Sequence, residues 1–134
     1  MPSAVRLIRS SSLAPTPYAY AATAPAEARL VFLAGSCPLE DDGRTAAVGD
    51  LRGQAAACVA TLTRALAEAG CTLEDVISTR VLVASSDRSD LVAVWEVVAS
   101  AFGEHDVPST LHGVTVLGYP DQLVEIEAVA AVVD

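Results

Sequence analysis

Lysine is absent from this sequence: its 134 residues include eight basic residues, all of them arginine, and 17 acidic residues. Without lysine, chemistry that proceeds through a Schiff base on a lysine amine is excluded. The formal net charge is −9, and no run of basic residues occurs in the chain. Such an acidic chain is a poor ligand for nucleic acid or for an anionic membrane, so neither partner is expected.

Cysteine and histidine are scarce, with three and two residues respectively. The cysteines, at positions 37, 58 and 71, form no Cys-x-x-Cys pair, so a zinc site is not expected. An odd number of cysteines without an apolar secretion signal is typical of free thiols in the cytoplasm. No apolar run approaches the roughly 18 residues of a membrane-spanning helix. We therefore expect a cytoplasmic protein that binds no metal.

Apolar residues are abundant, at 52% of the chain against 19% charged residues. This composition excludes a disordered chain, and the length fits a single domain spanning residues 1–134. Apolar positions recur every three or four residues over 51–69 and 91–102, which predicts two amphipathic helices that each end at a glycine. The predicted strands span residues 4–9, 18–24, 30–34, 76–84, 110–117 and 123–133.

The predicted order of elements is β-β-β-α-β-α-β-β. Two amphipathic helices in this order are expected to cover one face of a mixed sheet, which gives an α+β fold. The opposite face of the sheet would be left apolar. A bare apolar face in a small domain predicts self-association.

Two glutamates interrupt the apolar final strand. Glu125 and Glu127 are two residues apart and therefore lie on one face of the sheet. Carboxylates within so apolar a run need a partner. Each is a general acid or base, a group that positions water, or a structural carboxylate bonded to backbone amides or to an arginine.

Arg80 lies in the middle of a strand, on the same face as Ser78 and Leu82. It either forms an ion pair with Glu125 or Glu127, as interface arginines often do, or binds an anionic ligand through both guanidinium nitrogens.

The remaining candidates are weaker. His105 and His112 are either proton shuttles or hydrogen-bonded surface histidines. The hydroxyls of Ser109 and Thr110 either bind a ligand or mark the turn that begins a strand. Cys37 is the one thiol expected near a pocket, and nothing in the sequence activates it as a nucleophile.

Several segments match a known family in order and spacing. PYAYA at 17–21 is similar to Pro-Tyr-Ser-x-Ala, and LVFLAGSCPL at 30–39 is similar to a strand followed by Ser-Gly-Gln-Ile-Pro. EAG at 68–70, LEDVISTRVLVASSDR at 73–88, WEVVASAFG at 95–103 and LVEIEAVA at 123–130 continue the match. From residue 17 to the C-terminus, the chain resembles the Rid/YjgF family, the reactive-intermediate (enamine/imine) deaminase superfamily.

This resemblance implies a chorismate-mutase-like α+β domain that forms a homotrimer, with sheets lining a central barrel and three clefts between subunits. It also implies hydrolysis of the short-lived enamines and imines that pyridoxal-phosphate dehydratases release. In that reaction water attacks the iminium carbon and ammonia leaves, with no cofactor or metal taking part.

The resemblance also assigns site residues. Glu125 matches the family glutamate that positions water, and Tyr18 matches the pocket tyrosine. Leu111 occupies the place of a residue whose backbone meets the substrate. Gly35 and Ser36 fall in the segment similar to Ser-Gly-Gln, which implies that they contact substrate.

One departure concerns the arginine that holds the substrate carboxylate in the deaminases, in the pattern Pro-x-Arg-(Ser/Thr). Counted back from Gly113, Ser109 takes its place. A serine supplies no bidentate charged contact. The lost pair is worth about 1.5–3 kcal/mol, or roughly ten- to a hundredfold in binding.

Three hypotheses follow. In the first, the protein acts on or binds a small imine or enamine without the usual α-carboxylate, with Ser109 and Thr110 as hydrogen-bonding groups and Glu125 positioning water. In the second, Arg80 replaces the missing arginine in a 2-iminobutanoate/2-iminopropanoate-type deaminase. In the third, the protein is a non-catalytic trimer that binds a metabolite.

Overall fold

A computed structural model describes residues 3–134, so residues 1 and 2 of the predicted domain 1–134 lie outside the described residues. The predicted order of strands and helices is confirmed. The elements are β1 (Arg6–Ile8), β2 (Ala21–Thr23), β3 (Arg29–Phe32), α1 (Leu51–Glu68), β4 (Val76–Val83), α2 (Arg88–Phe102), β5 (Ser109–Gly113) and β6 (Val124–Val132).

The four longest strands form one mixed sheet in the order β3-β6-β4-β5. Strand β6 is antiparallel to both β3 and β4, whereas β5 is parallel to β4. The parallel pair follows from α2, which is the crossover connection that such a pair requires. Strands β1 and β2 pair with each other in a separate two-stranded sheet.

Both helices pack on one face of the sheet, as their apolar periodicity predicts. Asp50 caps α1 by accepting a hydrogen bond from the backbone N of Gly53 at 2.9 Å. Helix α2 begins at Arg88, earlier than predicted, because Asp87 caps it through Ser89. The core between helices and sheet contains fully buried side chains from every layer, among them Leu62, Leu66, Val81, Val94 and Ile126.

Several strands are shorter than predicted. The segment 110–117 pairs only as far as Gly113, because Gly113 is the partner of Val83, the last residue of β4. The apolar residues beyond it have no strand to pair with, and the side chain of Val116 is 75% exposed. Segments 4–9 and 18–24 pair over three residues each.

The face opposite the helices, here called the open face, is not the bare apolar surface that the sequence predicts. The register pairs Arg80 with Glu127 and Leu82 with Glu125, and members of each pair share a face. Among the described residues, the most apolar part of this face is the β3 edge, where the side chain of Phe32 is 73% exposed. Polar groups therefore occupy the centre of this face.

Candidate functional site

The Glu125 side chain lies on the open face of β6, next to the segment that follows β3. A backbone bridge joins the two: the N–H of Ser36 donates to the carbonyl of Ile126 at 2.7 Å, and the N–H of Ile126 donates back at 3.1 Å. This bridge places Gly35 and Cys37 on either side of the carboxylate. The side chain of Ser36 itself is only 3% exposed.

Gly35 provides the space in which the carboxylate lies. A Cβ atom at this position would come within 2.5 Å of Oε2 of Glu125. Because Gly35 has no side chain, the Glu125 carboxylate can occupy this position. The contribution of Gly35 to the site is therefore the space that it leaves for the carboxylate.

Two donors bind the same carboxylate oxygen. The Cys37 thiol lies 3.2 Å from Oε1 of Glu125, and Nε2 of Gln122 donates to that oxygen at 3.3 Å. Gln122 was not among the residues singled out from the sequence. The only sequence signal for Gln122 is its position as a polar residue directly before the strongest predicted strand, and this signal is weak.

The Cys37 thiol is a hydrogen-bond donor to Glu125. Partial burial, with the hydrogen bond to Glu125 as the next cause, raises the pKa of Cys37 to about 11. The sequence expectation of an unactivated thiol agrees with this direction. Burial also raises the pKa of the Cys58 thiol and that of Cys71.

The other predicted site residues form a second group around an open cavity of about 590 Å³ beside β4 and β5. Its lining includes Tyr18, Arg80, Ser109, Thr110 and His112. The ring of Trp95 packs against the ring of Tyr18, with the two ring centroids 6.2 Å apart in an edge-to-face arrangement.

Arg80 is exposed on the open face and lies opposite Glu127 in the strand register. Within residues 3–134, however, it forms no ion pair, so the predicted pairing with Glu125 or Glu127 is absent. The five ion pairs of the described chain use other arginines, at positions 9, 29, 44, 52 and 64.

The three candidates on β5 do not share one face of the sheet. Ser109 accepts a hydrogen bond from the buried hydroxyl of Thr79 at 2.7 Å, which places it on the helix-covered face. Leu111 packs against the hydrophobic core. Only Thr110, the register partner of Arg80, has its side chain on the open face.

The two groups of residues do not meet within one chain. Glu125 is on β6 and Thr110 is on β5, with β4 between them, and two strand spacings amount to about 10 Å. The two cavities that Tyr18 lines beside β4 and β5 include neither Glu125 nor Gly35 among their described lining residues.

The histidines contribute little to either group. The Nε2 atom of His105 lies 2.8 Å from the carbonyl oxygen of Val76, so this ring is a hydrogen-bonded histidine. His112 is exposed at the cavity of the second group. In the part of the chain that the structure describes, no three His, Cys, Asp or Glu side chains come together to hold a metal ion. Neither helix there is long and apolar enough to cross a membrane.

Comparison with known proteins identifies the family. The family described as endoribonuclease L-PSP matches residues 10–132. A RutC family protein of Pyrococcus abyssi is 33% identical over 101 residues, which cover 75% of this chain and 76% of that protein.

Solved structures of Rid/YjgF family members have the same fold as this chain. The Rid-family protein YyfB of Yersinia pestis, described as of unknown function, superposes with a TM-score of 0.90 at 26% identity, covering 96% of this chain and 99% of that chain. Rv2704 of Mycobacterium tuberculosis, a member of the YjgF/YER057c/UK114 family, superposes with a TM-score of 0.65 at 33% identity, covering 96% of this chain and 99% of that chain. The predicted YjgF-like α+β fold is confirmed, and this chain belongs to the endoribonuclease L-PSP family, the Rid/YjgF family that its sequence motifs resemble.

Proposed function

We propose that this protein acts on or binds a small reactive imine or enamine that lacks an α-carboxylate, in clefts between the subunits of a homotrimer. The observation that carries the proposal is the state of the Glu125 carboxylate. Oε1 accepts two hydrogen bonds, whereas Oε2 accepts none from residues 3–134 and lies in the space above Gly35. Oε2 is the atom available to water or substrate.

The separation of the two residue groups supports a site shared between subunits. Glu125 and Gly35 lie at one place on the sheet, and Tyr18 and Thr110 lie at another, too far apart to grip one small molecule. A cleft between two copies of the chain would bring the Tyr18 group of one copy to the Glu125 of the next. The exposed Phe32 side chain gives the β3 edge an apolar surface for such contacts.

The chemistry fits a carboxylate with one free oxygen. Water adds to the iminium carbon while Oε2 of Glu125 accepts one of its protons, and the C=N double bond becomes a single bond. The proton then passes to nitrogen, the C–N bond breaks as the hydroxyl oxygen forms the carbonyl double bond, and the hydroxyl proton passes through Oε2 to the departing ammonia, which leaves as ammonium. In balance, one iminium ion and one water molecule give one carbonyl compound and one ammonium ion, and the carboxylate is regenerated.

The surroundings of Glu125 favour a substrate without a carboxylate. Among the described residues, no arginine or histidine contacts Glu125, and Arg80 and His112 line the separate cavity of Tyr18 and Thr110. A carboxylate placed beside Glu125 would lack the charge-assisted pair that an arginine supplies.

RNA is a less favourable substrate for this chain, despite the family's description as endoribonucleases. Lysine is absent and the net charge is −9. Five of the eight arginines are already engaged with carboxylates. Little positive charge is left to bind phosphates.

A second candidate is a deaminase in which Arg80 holds the substrate carboxylate. Arg80 is exposed, is in no ion pair within residues 3–134, and lines the cavity of Tyr18 and Thr110. These three facts favour it as the replacement for the missing arginine.

Four further expectations belong to the same proposal. The chain forms one domain, and it needs no cofactor. The three cysteines are free thiols, which suits a reducing compartment, and we place the protein in the cytoplasm.

The test is an imine-hydrolysis assay with two sources of substrate. A pyridoxal-phosphate dehydratase supplies 2-aminoacrylate. An amine oxidase acting on a primary amine that has no carboxylate group supplies an imine without a carboxylate. Trapping with semicarbazide reports the imine that remains. Light scattering gives the number of 13.8-kDa chains in the particle.

We expect a trimer that removes the neutral imine, inactivated by Glu125→Gln and not by Glu127→Gln, the matched carboxylate two residues away. Activity on 2-aminoacrylate that is lost in Arg80→Ala would establish the second candidate instead. A trimer that hydrolyses neither substrate would favour the remaining hypothesis, a non-catalytic trimer that binds a metabolite.

A further inference from the structure

The Glu125 carboxylate is held at one oxygen by two side chains, Cys37 and Gln122. We propose that both are positioning residues, which anchor Oε1 so that Oε2 alone faces water or substrate. This role rests on the proposed function of Glu125.

Gln122 is the rigid half of the anchor. It is 4% exposed, and its carbonyl oxygen accepts from the backbone N of Tyr119 at 3.1 Å. Its two amide hydrogens serve the carbonyl oxygen of Val124 at 3.0 Å and Oε1 of Glu125 at 3.3 Å. With every donor and acceptor engaged in one orientation, the amide cannot turn without losing a buried hydrogen bond.

Cys37 is the second half, and its backbone is fixed as well. Its carbonyl oxygen accepts from the Thr61 hydroxyl on α1 at 3.1 Å. The single thiol proton has two acceptors in reach, Oε1 of Glu125 at 3.2 Å and the carbonyl of Gly35 at 3.5 Å. The nearer acceptor bears the charge, so the thiol donates to the carboxylate. The raised pKa keeps that proton on sulfur at neutral pH.

The anchor decides which carboxylate oxygen reacts. A carboxylate free to rotate about its last bond presents either oxygen in many orientations. With Oε1 engaged by two donors and Oε2 confined above Gly35, one oxygen in one orientation remains. Fixing a reactive group in this way removes an orientational cost from the chemical step.

The contact itself is tested without any substrate. Native protein is alkylated with iodoacetamide from pH 7 to 10, and peptide mapping follows Cys37 separately from Cys58 and Cys71, which are buried. In Glu125→Gln the charge that favours the protonated thiol is gone. We expect Cys37 to react about three- to tenfold faster at each pH, the gain in thiolate being partly offset by its lower nucleophilicity. An unchanged rate would show that the thiol does not donate to Glu125 and would overturn the proposal.

The positioning role is tested by turnover. We expect Cys37→Ala and Gln122→Met to lower kcat about ten- to a hundredfold with little change in KM, because the carboxylate loses its orientation while the pocket remains. Cys37→Ser retains a donor and should recover most of the rate. Cys71→Ala is the control, since its thiol lies against the carbonyl of Ala69 and away from Glu125. Circular dichroism excludes variants that fail to fold.

The results separate this inference from the proposed function. If Cys37→Ala and Cys37→Ser both turn over like the parent, the anchor is irrelevant and the inference is wrong while the function stands. If no imine is hydrolysed but Glu125→Gln accelerates alkylation as expected, the contact of Cys37 with Glu125 exists and the proposed imine hydrolysis is wrong.

Discussion

The hydroxyl groups of Thr79 and Ser109 are hydrogen-bonded at 2.7 Å across the parallel pair of β4 and β5. Thr79 is 5% exposed, so this bond lies at the edge of the core. The β4–β5 register that aligns the two hydroxyls also assigns the β5 residues to their faces. Ser109, which the family pattern aligns with the carboxylate-binding arginine, faces the helices, and its neighbour Thr110 faces the open side.

Ser109→Ala should destabilise the fold. The buried Thr79 hydroxyl would lose its acceptor, which costs about 1–3 kcal/mol in the free energy of unfolding. Thr79→Val combined with Ser109→Ala removes both hydroxyls and should cost less than the sum of the single changes. Urea unfolding of the four proteins measures this difference; additive costs would contradict the bond.

Thr110→Arg should create a carboxylate site where Ser109→Arg does not. An arginine at 110 lies on the open face beside Tyr18 and Arg80, so the rate on 2-aminoacrylate or its binding should rise about ten- to a hundredfold. At 109 the guanidinium would be directed at the helix-covered face and should lower the melting temperature instead. Both variants are assayed on 2-aminoacrylate, and a gain of activity in Ser109→Arg and not in Thr110→Arg would contradict this prediction.

Gly35→Ala should disable Glu125 without unfolding the protein. The added methyl group would overlap Oε2, which is the far end of a flexible side chain and can move away. We expect a near-parental melting temperature, roughly a tenfold or greater loss of kcat, and faster alkylation of Cys37 as the carboxylate leaves it. A fully active variant would show that Oε2 is not held above Gly35.

The ion pair of Arg9 with Asp106 predicts a pH-dependent stability. The hydrogen bond from Arg9 is the main cause that lowers the pKa of Asp106 below its usual value of 3.8. A lowered carboxyl pKa stabilises the fold above the unfolded-state pKa, and this contribution is lost as the pH falls through the lower, folded-state pKa.

Arg9→Ala should therefore lower the melting temperature at neutral pH, and the deficit should shrink as the pH drops below about 4. Arg44→Ala, which breaks an exposed pair with Asp42 within one loop, should change little. A deficit for Arg9→Ala that persists at low pH would point to lost packing and not to the ion pair.

The sequence predicted the architecture well because periodicity and capping are local. The faces of α1, the cap at Asp50 and the face shared by Glu125 and Glu127 depend only on spacing along one segment. Strand ends were predicted less well, since the end of β5 depends on where its partner β4 stops.

The candidate site was predicted only in part, for the same reason. Glu125 stands out because it interrupts an apolar run, but its donors come from separate segments of the chain. Cys37 is 88 residues away from it. Gln122 is near in sequence, yet its contact depends on the turn that precedes β6. The orientation of Ser109 away from the open face follows from the β4–β5 register, which no local pattern contains.

The bridge between Ser36 and Ile126 has a consequence for engineering this chain. Because the bridge is made entirely by backbone atoms, it should survive a change of side chain at either position, provided the volume is conserved. The side chains at positions 37 and 122 take no part in the bridge. The surroundings of the Glu125 carboxylate can therefore be varied without rebuilding the sheet that carries it.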